Sequence, residues 1–488
     1  MRLVLVMITG VVLIIISAVL FRAISITSRQ ISVEPITPIT IDIRQSAKRL
    51  AGAIRYKTVS YQDHSKIDGT EFLGFHQYLE QAFPRVHATL TRKVVNDHSL
   101  LYTWKGSSEE LNPIVLMGHM DVVPVDIGLE ADWTYPPFDG RIADGHIWGR
   151  GSMDVKLALT AALEAVEMLI EQEFQPRRTV YLAFGHDEEI GGREGAARIA
   201  SLLEERGVRV AFTLDEGSAI VKGIVPGVTK PVALVALAEK GYLTLLLTAT
   251  GEGGHSSRPK HLTSIGKLAR AIHRLETNLM PADLRQPAAG MFDYLASEMP
   301  FSMRAVAANR WLFESILVSR LEGSPATNAI IRTTTAPTLL PKTGTKENVI
   351  PREAKAVVNF RILPGDTVQG VKDRVDQIIS DIDVKVTQYG HAVEASAVSD
   401  QDSPEFQALH RTIRQVFPDT VVAPSLVIGG TDSKHYAKIA ENSFRFIPMR
   451  LEKEDLKRIH GKDERISIEN YGEIIRFYVQ LLRNTAAE

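Results

Sequence analysis

The sequence predicts an α/β protein: a doubly wound mixed sheet, an inserted α+β domain, and one N-terminal transmembrane helix ahead of both. Three observations predict it. Short apolar runs at 114–117, 179–184 and 208–214 end in glycine or polar residues, and helical patterns follow them. That strand–loop–helix rhythm belongs to doubly wound sheets. From about Lys240 the rhythm gives way to alternating strands around a single helix, which reads as an insertion. Finally, residues 3–21 form an uncharged apolar run, close to the ~20 residues that cross a bilayer.

The run is longer than the 7–15 residues of a usual signal core, and no A-x-A site follows it closely. Residues 1–22 are read as an uncleaved signal anchor, with a cleaved signal peptide as the alternative. Arg2 before the run places the N-terminus in the cytoplasm and the rest outside, although Arg22 and Arg29 pull the other way. Residues 23–41, rich in Ile, Ser, Thr and Pro, make a tether. The first part of the catalytic domain covers 42–239 and opens on Ala47, Leu50, Ala51 and Ile54 at helical spacing. The inserted lid or dimerisation domain is assigned to 240–363 and the second catalytic part to 364–488.

Bulk properties narrow the chemistry. The 56 basic and 58 acidic residues are interspersed, so nucleic acid is not expected as a partner. With no cysteine, disulfides and thiolate metal sites are excluded. Any metal must be held by His, Asp and Glu, which suits zinc, manganese or cobalt.

Metal-type side chains recur at the strand ends. Gly118 closes the first run and sets His119 and Asp121 beyond it, the edge where open α/β sheets bind ligands. A carboxylate beside such a histidine can fix its tautomer. Asp154 stands before a strong amphipathic helix, so it reads equally as an N-cap or as a ligand. Glu188 and Glu189 follow the second strand, and on an extended chain they would face opposite ways. Asp215-Glu216-Gly217 follow the third.

Taken together, HMDVVPV, GRGSMDVK, DEEIGG, LDEG, GGHSSRP, NVIP…NFRILPGD and GGTDSKHY resemble, in this order, the cocatalytic zinc exopeptidases and amidohydrolases. That family includes aminoacylase, glutamate carboxypeptidase and succinyl-diaminopimelate desuccinylase. The aromatic-dotted stretch 280–321 is most similar to the branch of carboxypeptidase S and the N-acyl-amino-acid hydrolases.

The resemblance implies two divalent metal ions, zinc first. His119 and Asp215 would hold one, Glu189 and His435 the other, with Asp154 bridging. It makes Glu188 the general base, Asp121 the residue orienting His119, and His255 an oxyanion-stabilising histidine that in relatives often serves the partner subunit. Asn328, Arg361, Gly430 and Thr431 would bind the substrate's free carboxylate, although Arg361 also reads as a solvated strand residue. His146, His186, His273 and His460 are read as structural. Asp463 stands where relatives usually carry Asn.

The expected protein is a membrane-tethered, extracytoplasmic di-metal hydrolase. It would release a free amino acid from a peptide C-terminus or an N-acyl amino acid, as a monomer or as a homodimer through the insertion. The competing classes are a non-catalytic binding relative, against which the full ligand set argues, and a biosynthetic deacylase, with which the anchor conflicts.

Overall fold

The computed structural model describes residues 2–126, 128 and 130–487. Its first helix, α1 (Arg2–Ser25), is uncharged between Arg2 and Arg22 and is the one helix among the described residues long and apolar enough to cross a membrane. The stretch after it lacks regular structure, yet it is docked rather than free. The Gln30 side chain donates to the carbonyl of Val422 (2.8 Å) and accepts from its N–H (2.7 Å). Ile39 is buried in the main core. Asp42 then caps the helix Ile43–Ile54 through the N–H of Gln45, as a carboxylate at an N-cap does.

Strands β1 (Thr91–Val95), β2 (Ser99–Trp104), β3 (Ile114–His119), β4 (Val180–Gly185), β5 (Val210–Asp215), β6 (Ile220–Val221) and β7 (Val232–Glu239) build the first sheet. A second sheet follows, made of β8 (Gly241–Thr250), β9 (Thr334–Leu339), β10 (Glu353–Ile362) and β11 (Val384–Gln388). The chain then returns to the first sheet with β12 (Val421–Val427), β13 (Ala440–Arg445) and β14 (Arg450–Leu451). The first sheet runs β1-β2-β4-β3-β5-β13-β7-β6-β14, with β12 also pairing β7.

It is mixed: β4, β3, β5 and β13 are parallel neighbours, while β1–β2 and β2–β4 are antiparallel. Every residue of β3, β4 and β5 is buried. That is why their sequences read as unbroken apolar runs: both faces are covered. Helix α2 (Lys156–Glu171) packs on β3 and on the C-terminal helix Ile468–Ala486.

The second sheet is antiparallel, in the order β9-β10-β8-β11. It has its own core, in which Leu243, Leu245 and Leu247 meet Leu268, Leu275, Val371 and Val375 from the helices Ser264–Thr277 and Val368–Ile379.

Two features of this layer depart from an insertion spanning 240–363. Beyond 363, β11 and the helix Val368–Ile379 complete the layer, because β11 pairs the free edge of β8. In contrast, the helix Ala288–Leu295 packs on β12, and Leu284, Phe292, Tyr294 and Met299 bury themselves in the main core. The first part of the aromatic stretch, 280–299, is therefore a buttress of the first layer, and its remainder forms α3 (Phe301–Ala308) and α4 (Arg310–Leu321).

Candidate active site

Because β4, β3 and β5 are parallel neighbours, their carboxyl ends converge on one edge, where open α/β sheets bind ligands. His119 closes β3 and is buried. Its Nδ1 donates to the backbone carbonyl of Asp121 (2.9 Å), which leaves Nε2 facing outward. There Nε2 lies 3.2 Å from Asp154 Oδ1 and 3.2 Å from Glu216 Oε1.

The Asp121 carboxylate has a wider task than orienting His119, whose Nδ1 is 3.4 Å from Oδ1. Oδ1 accepts the N–H of Glu188 and Oδ2 that of Glu189, both at 3.1 Å, and Oδ2 also accepts from the Ser60 hydroxyl (2.6 Å). It thus pins the turn that carries both glutamates. That turn is a 3₁₀ turn, Glu188–Ile190, rather than extended chain, but the two side chains still part. His119, Asp154 and Glu189 form one group with ligand atoms mutually within 4.8 Å, and His119, Glu188 and Glu216 form another.

Asp154 is not an N-cap; Val155 holds that position without a side-chain cap bond. Its carboxylate is instead shared between His119 and His460, whose Nε2 lies 2.9 Å from Asp154 Oδ2 and 3.2 Å from Glu189 Oε2. The loop is held by Glu464, fully buried, whose Oε1 accepts the N–H groups of Gly151 (3.0 Å), Met153 (2.7 Å) and Asp154 (3.1 Å). Its other oxygen pairs with Arg150 (2.6 Å).

Two expected ligands stand elsewhere. Asp215 accepts from the N–H of Ser433 (2.8 Å) and of Glu216 (3.0 Å). It ties β5 to the loop 429–433, and its neighbour Glu216 is turned toward His119. Adjacent residues at a strand end face opposite ways, and LDEG offered both carboxylates. His435 donates Nε2 to the Gly191 carbonyl (3.0 Å) and joins neither group. The histidine that does approach Asp154 and Glu189 is His460, read from the sequence as structural. Its signal was the polar HGKDERI segment between the last strands and the last helix, a further strand-to-helix loop.

The expected substrate-binding residues are spread more widely. Thr431 gives both its N–H and its hydroxyl to Glu239 Oε2, each at 2.8 Å, while Gly430 is exposed. Arg361 lies on β10 with its guanidinium 4.9 Å from the centre of the Tyr242 ring, and it has no ion pair among the described residues. Asn328 sits on the short helix Pro325–Ala329 with its buried Oδ1 lacking a partner. His255 is exposed on the second layer and bonded through Nδ1 to Ser257 (2.8 Å). Asp463 accepts from the N–H of Thr134 (2.7 Å).

The donor set fits divalent cations. Four half-buried carboxylates, Asp154, Glu188, Glu189 and Glu216, meet only two histidines, His119 buried and His460 exposed. Burial pushes the Glu188 carboxyl well above its usual range, and burial with the Asp154 charge takes Glu216 up to about 8. Glu189 Oε1 is buried without a partner. Such a set is compatible with full ionisation when positive charge sits among the oxygens.

Comparison with known proteins agrees. Residues 115–484 match the sequence profile of Peptidase family M20/M25/M40. The chain is 43% identical over 474 residues to Probable carboxypeptidase S-like 2 of Dictyostelium discoideum, covering 95% of this chain and 91% of that one. It is 42% identical over 446 residues to the N-fatty-acyl-amino acid synthase/hydrolase PM20D1 of Xenopus tropicalis, covering 91% and 86%. Its fold matches the M20 family metallo-carboxypeptidase Sso-CP2 from Sulfolobus solfataricus, with a TM-score of 0.66 at 16% identity over 90% of this chain and 99% of that one. The histidines and carboxylates gathered at this sheet edge therefore belong to a metal-dependent amide hydrolase, and the chain is a member of Peptidase family M20/M25/M40.

Proposed function

We propose that the chain is a two-metal hydrolase, with zinc the first choice, that releases a free amino acid from an N-acyl amino acid or a peptide C-terminus. The observation that carries this reading is the pair of ligand groups sharing His119. His119 and Glu216 would hold one ion, Glu189 and His460 the other, and Asp154 would lie between them. Divalent cations bound there would polarise the scissile carbonyl and lower the pKa of water from about 15.7 to about 7.

The chain's own residues supply the rest. Glu188, beside His119 and Glu216 but outside the proposed ligand set, takes the proton of the attacking water and passes it to the leaving nitrogen. Asp121 fixes Glu188 by holding its N–H, and it holds His119 with the same residue's carbonyl. Arg361 is the candidate for the substrate carboxylate through charge-assisted hydrogen bonds. The exposed position of His255 suits a residue acting on a second copy.

Helix α1 is read as a signal anchor with the catalytic layers outside the cytoplasm. The names of the relatives, carboxypeptidase S-like and N-fatty-acyl-amino acid synthase/hydrolase, support an acyl or peptidyl amino acid as substrate.

The test is release of free amino acid from a panel of N-acyl amino acids of rising chain length, dipeptides and their C-terminal amides. kcat/KM should rise with acyl hydrophobicity, by up to about 0.8 kcal/mol per buried CH₂, and collapse on amidation. Equal rates on amide and free acid would exclude a carboxylate-reading site.

A further inference from the structure

Beside α1 the molecule carries a second apolar surface. Covered positions on α1 are Ile15, Val19 and Ala23, four residues apart, and the helix packed on them is α3. The contact is fixed by Asn309, fully buried between α3 and α4, whose side-chain nitrogen donates to the carbonyl of Val19 (3.1 Å) and of Ala305 (2.9 Å). Its oxygen accepts the indole N–H of Trp311 (3.2 Å). The one polar atom of Trp311 is thus turned into the protein, while the residue stays 58% exposed. Phe301, Met303, Leu312 and Ile316 are exposed around it.

The two basic residues nearest the turn of this hairpin are engaged with the protein, while Glu314 and Arg320 are exposed. Arg304 donates to the Ser297 carbonyl (2.9 Å). Arg310 donates to the Ala289 carbonyl (2.6 Å) and pairs with Asp293 (2.7 Å). Glu314 is the only acid between 301 and 318.

The packing fixes a depth. The apolar run of α1 ends at Phe21, so at ~1.5 Å per residue Val19 lies about 3 Å, and Ile15 about 9 Å, inside its outer end. Helices that lie in a membrane interface bury their apolar faces by about 5–10 Å. Aromatic residues with one polar atom favour that zone.

We propose that α3 and α4 are embedded in the outer interface of the same bilayer that α1 crosses, with Trp311, Leu312 and Ile316 among the lipid tails' upper carbons. The partner is the lipid bilayer itself, chosen over a second copy because the patch is continuous with α1. The proposal rests on the reading of α1 as an uncleaved anchor. It makes the catalytic body a docked, oriented enzyme rather than one swinging on a tether.

The experiment uses the full chain in phosphatidylcholine vesicles whose acyl chains carry bromine at shallow or deep carbons. The three other tryptophans, Trp104, Trp133 and Trp148, are buried, so W311F identifies the emission that belongs to Trp311. Shallow bromines should remove that component, and deep ones should remove less. Because the chain has no cysteine, a nitroxide on Ile316→Cys gives an independent depth through collision with oxygen against an aqueous nickel chelate.

Trp311 emission quenched by aqueous iodide and not by bromine overturns the proposal. So does emission shielded from both, which would mean that protein covers the patch. Full-length chain that fails to float with the vesicles removes the anchor reading itself, and this inference with it.

Discussion

At the edge of the first sheet, His119, Asp121 and Asp215 are 1%, 0% and 3% exposed, and each is held by backbone groups, with side-chain partners as well at His119 and Asp121. On the second layer, His255 is exposed on a two-stranded ribbon with its ring bonded to Ser257, and Arg361 lies against one aromatic ring. The first region is preorganised for charge, because its dipoles and partners are in place before anything binds. On the proposed reading, the second would be completed by substrate, a closing motion or another copy. If Arg361 and His255 act as proposed, catalytic chemistry and substrate capture are built to different tolerances in one chain.

Substitution in the first region should have the larger consequences. Asp154→Ala should lose metal and activity together, since the proposed ions share that carboxylate. Glu188→Gln should keep the metal and lose about 10²–10⁴ in kcat. Metal content by atomic emission beside a rate assay separates the two, and a Glu188→Gln enzyme running at the parent rate would break the contrast.

Next comes the choice between two histidines. His460→Ala should lower both metal content and rate, whereas His435→Ala, which gives up a bond to the Gly191 carbonyl, should keep metal content near that of the parent. The reverse result would place the ligand at His435.

On the second layer, Arg361→Ala should raise KM for free-acid substrates by the loss of about 1.5–3 kcal/mol of charged hydrogen bonding while leaving metal content intact. Amidated substrates should be indifferent to it. His255→Ala mixed with an otherwise inactive Glu188→Gln chain should regain activity if the histidine serves a partner, and should stay inactive if it serves its own chain.

The smallest change expected is Asp463→Asn. Both side chains can accept from the Thr134 N–H, and both tolerate the left-handed backbone at this position (φ 57°). Stability should move by less than about 1 kcal/mol on thermal unfolding.

The sequence made the central strands legible because β3, β4 and β5 are buried on both faces and therefore uniformly apolar. The polar residues that break those runs mark the sheet edge, and the structure brings His119, Asp154, Glu188 and Glu189 together there. What a linear reading cannot resolve is direction. Asp215 and Glu216 are adjacent carboxylates, and only the pairing of β5 with β13 decides which one turns inward. His435 and His460 both sit in polar loops near the C-terminus. Their assignment depends on which loop crosses the site, a long-range matter with no local signature. The extent of the second layer was hidden for a similar reason: β11 belongs to it through pairing with β8, more than a hundred residues earlier in the chain.

Glu464 gives the site a history as well as a shape. The loop that presents Asp154 hangs on a carboxylate more than three hundred residues downstream, on the same short segment that carries His460. During synthesis, at about 5–20 residues per second, the earlier proposed ligands therefore wait, already translated, for the closing stretch to arrive. A nascent chain stopped before residue 460 holds most of the metal-binding chemistry and none of its keystone. On the proposed ligand set, metal capture would be reserved for finished molecules, and a product truncated before residue 460 should be inert with no separate inhibitor.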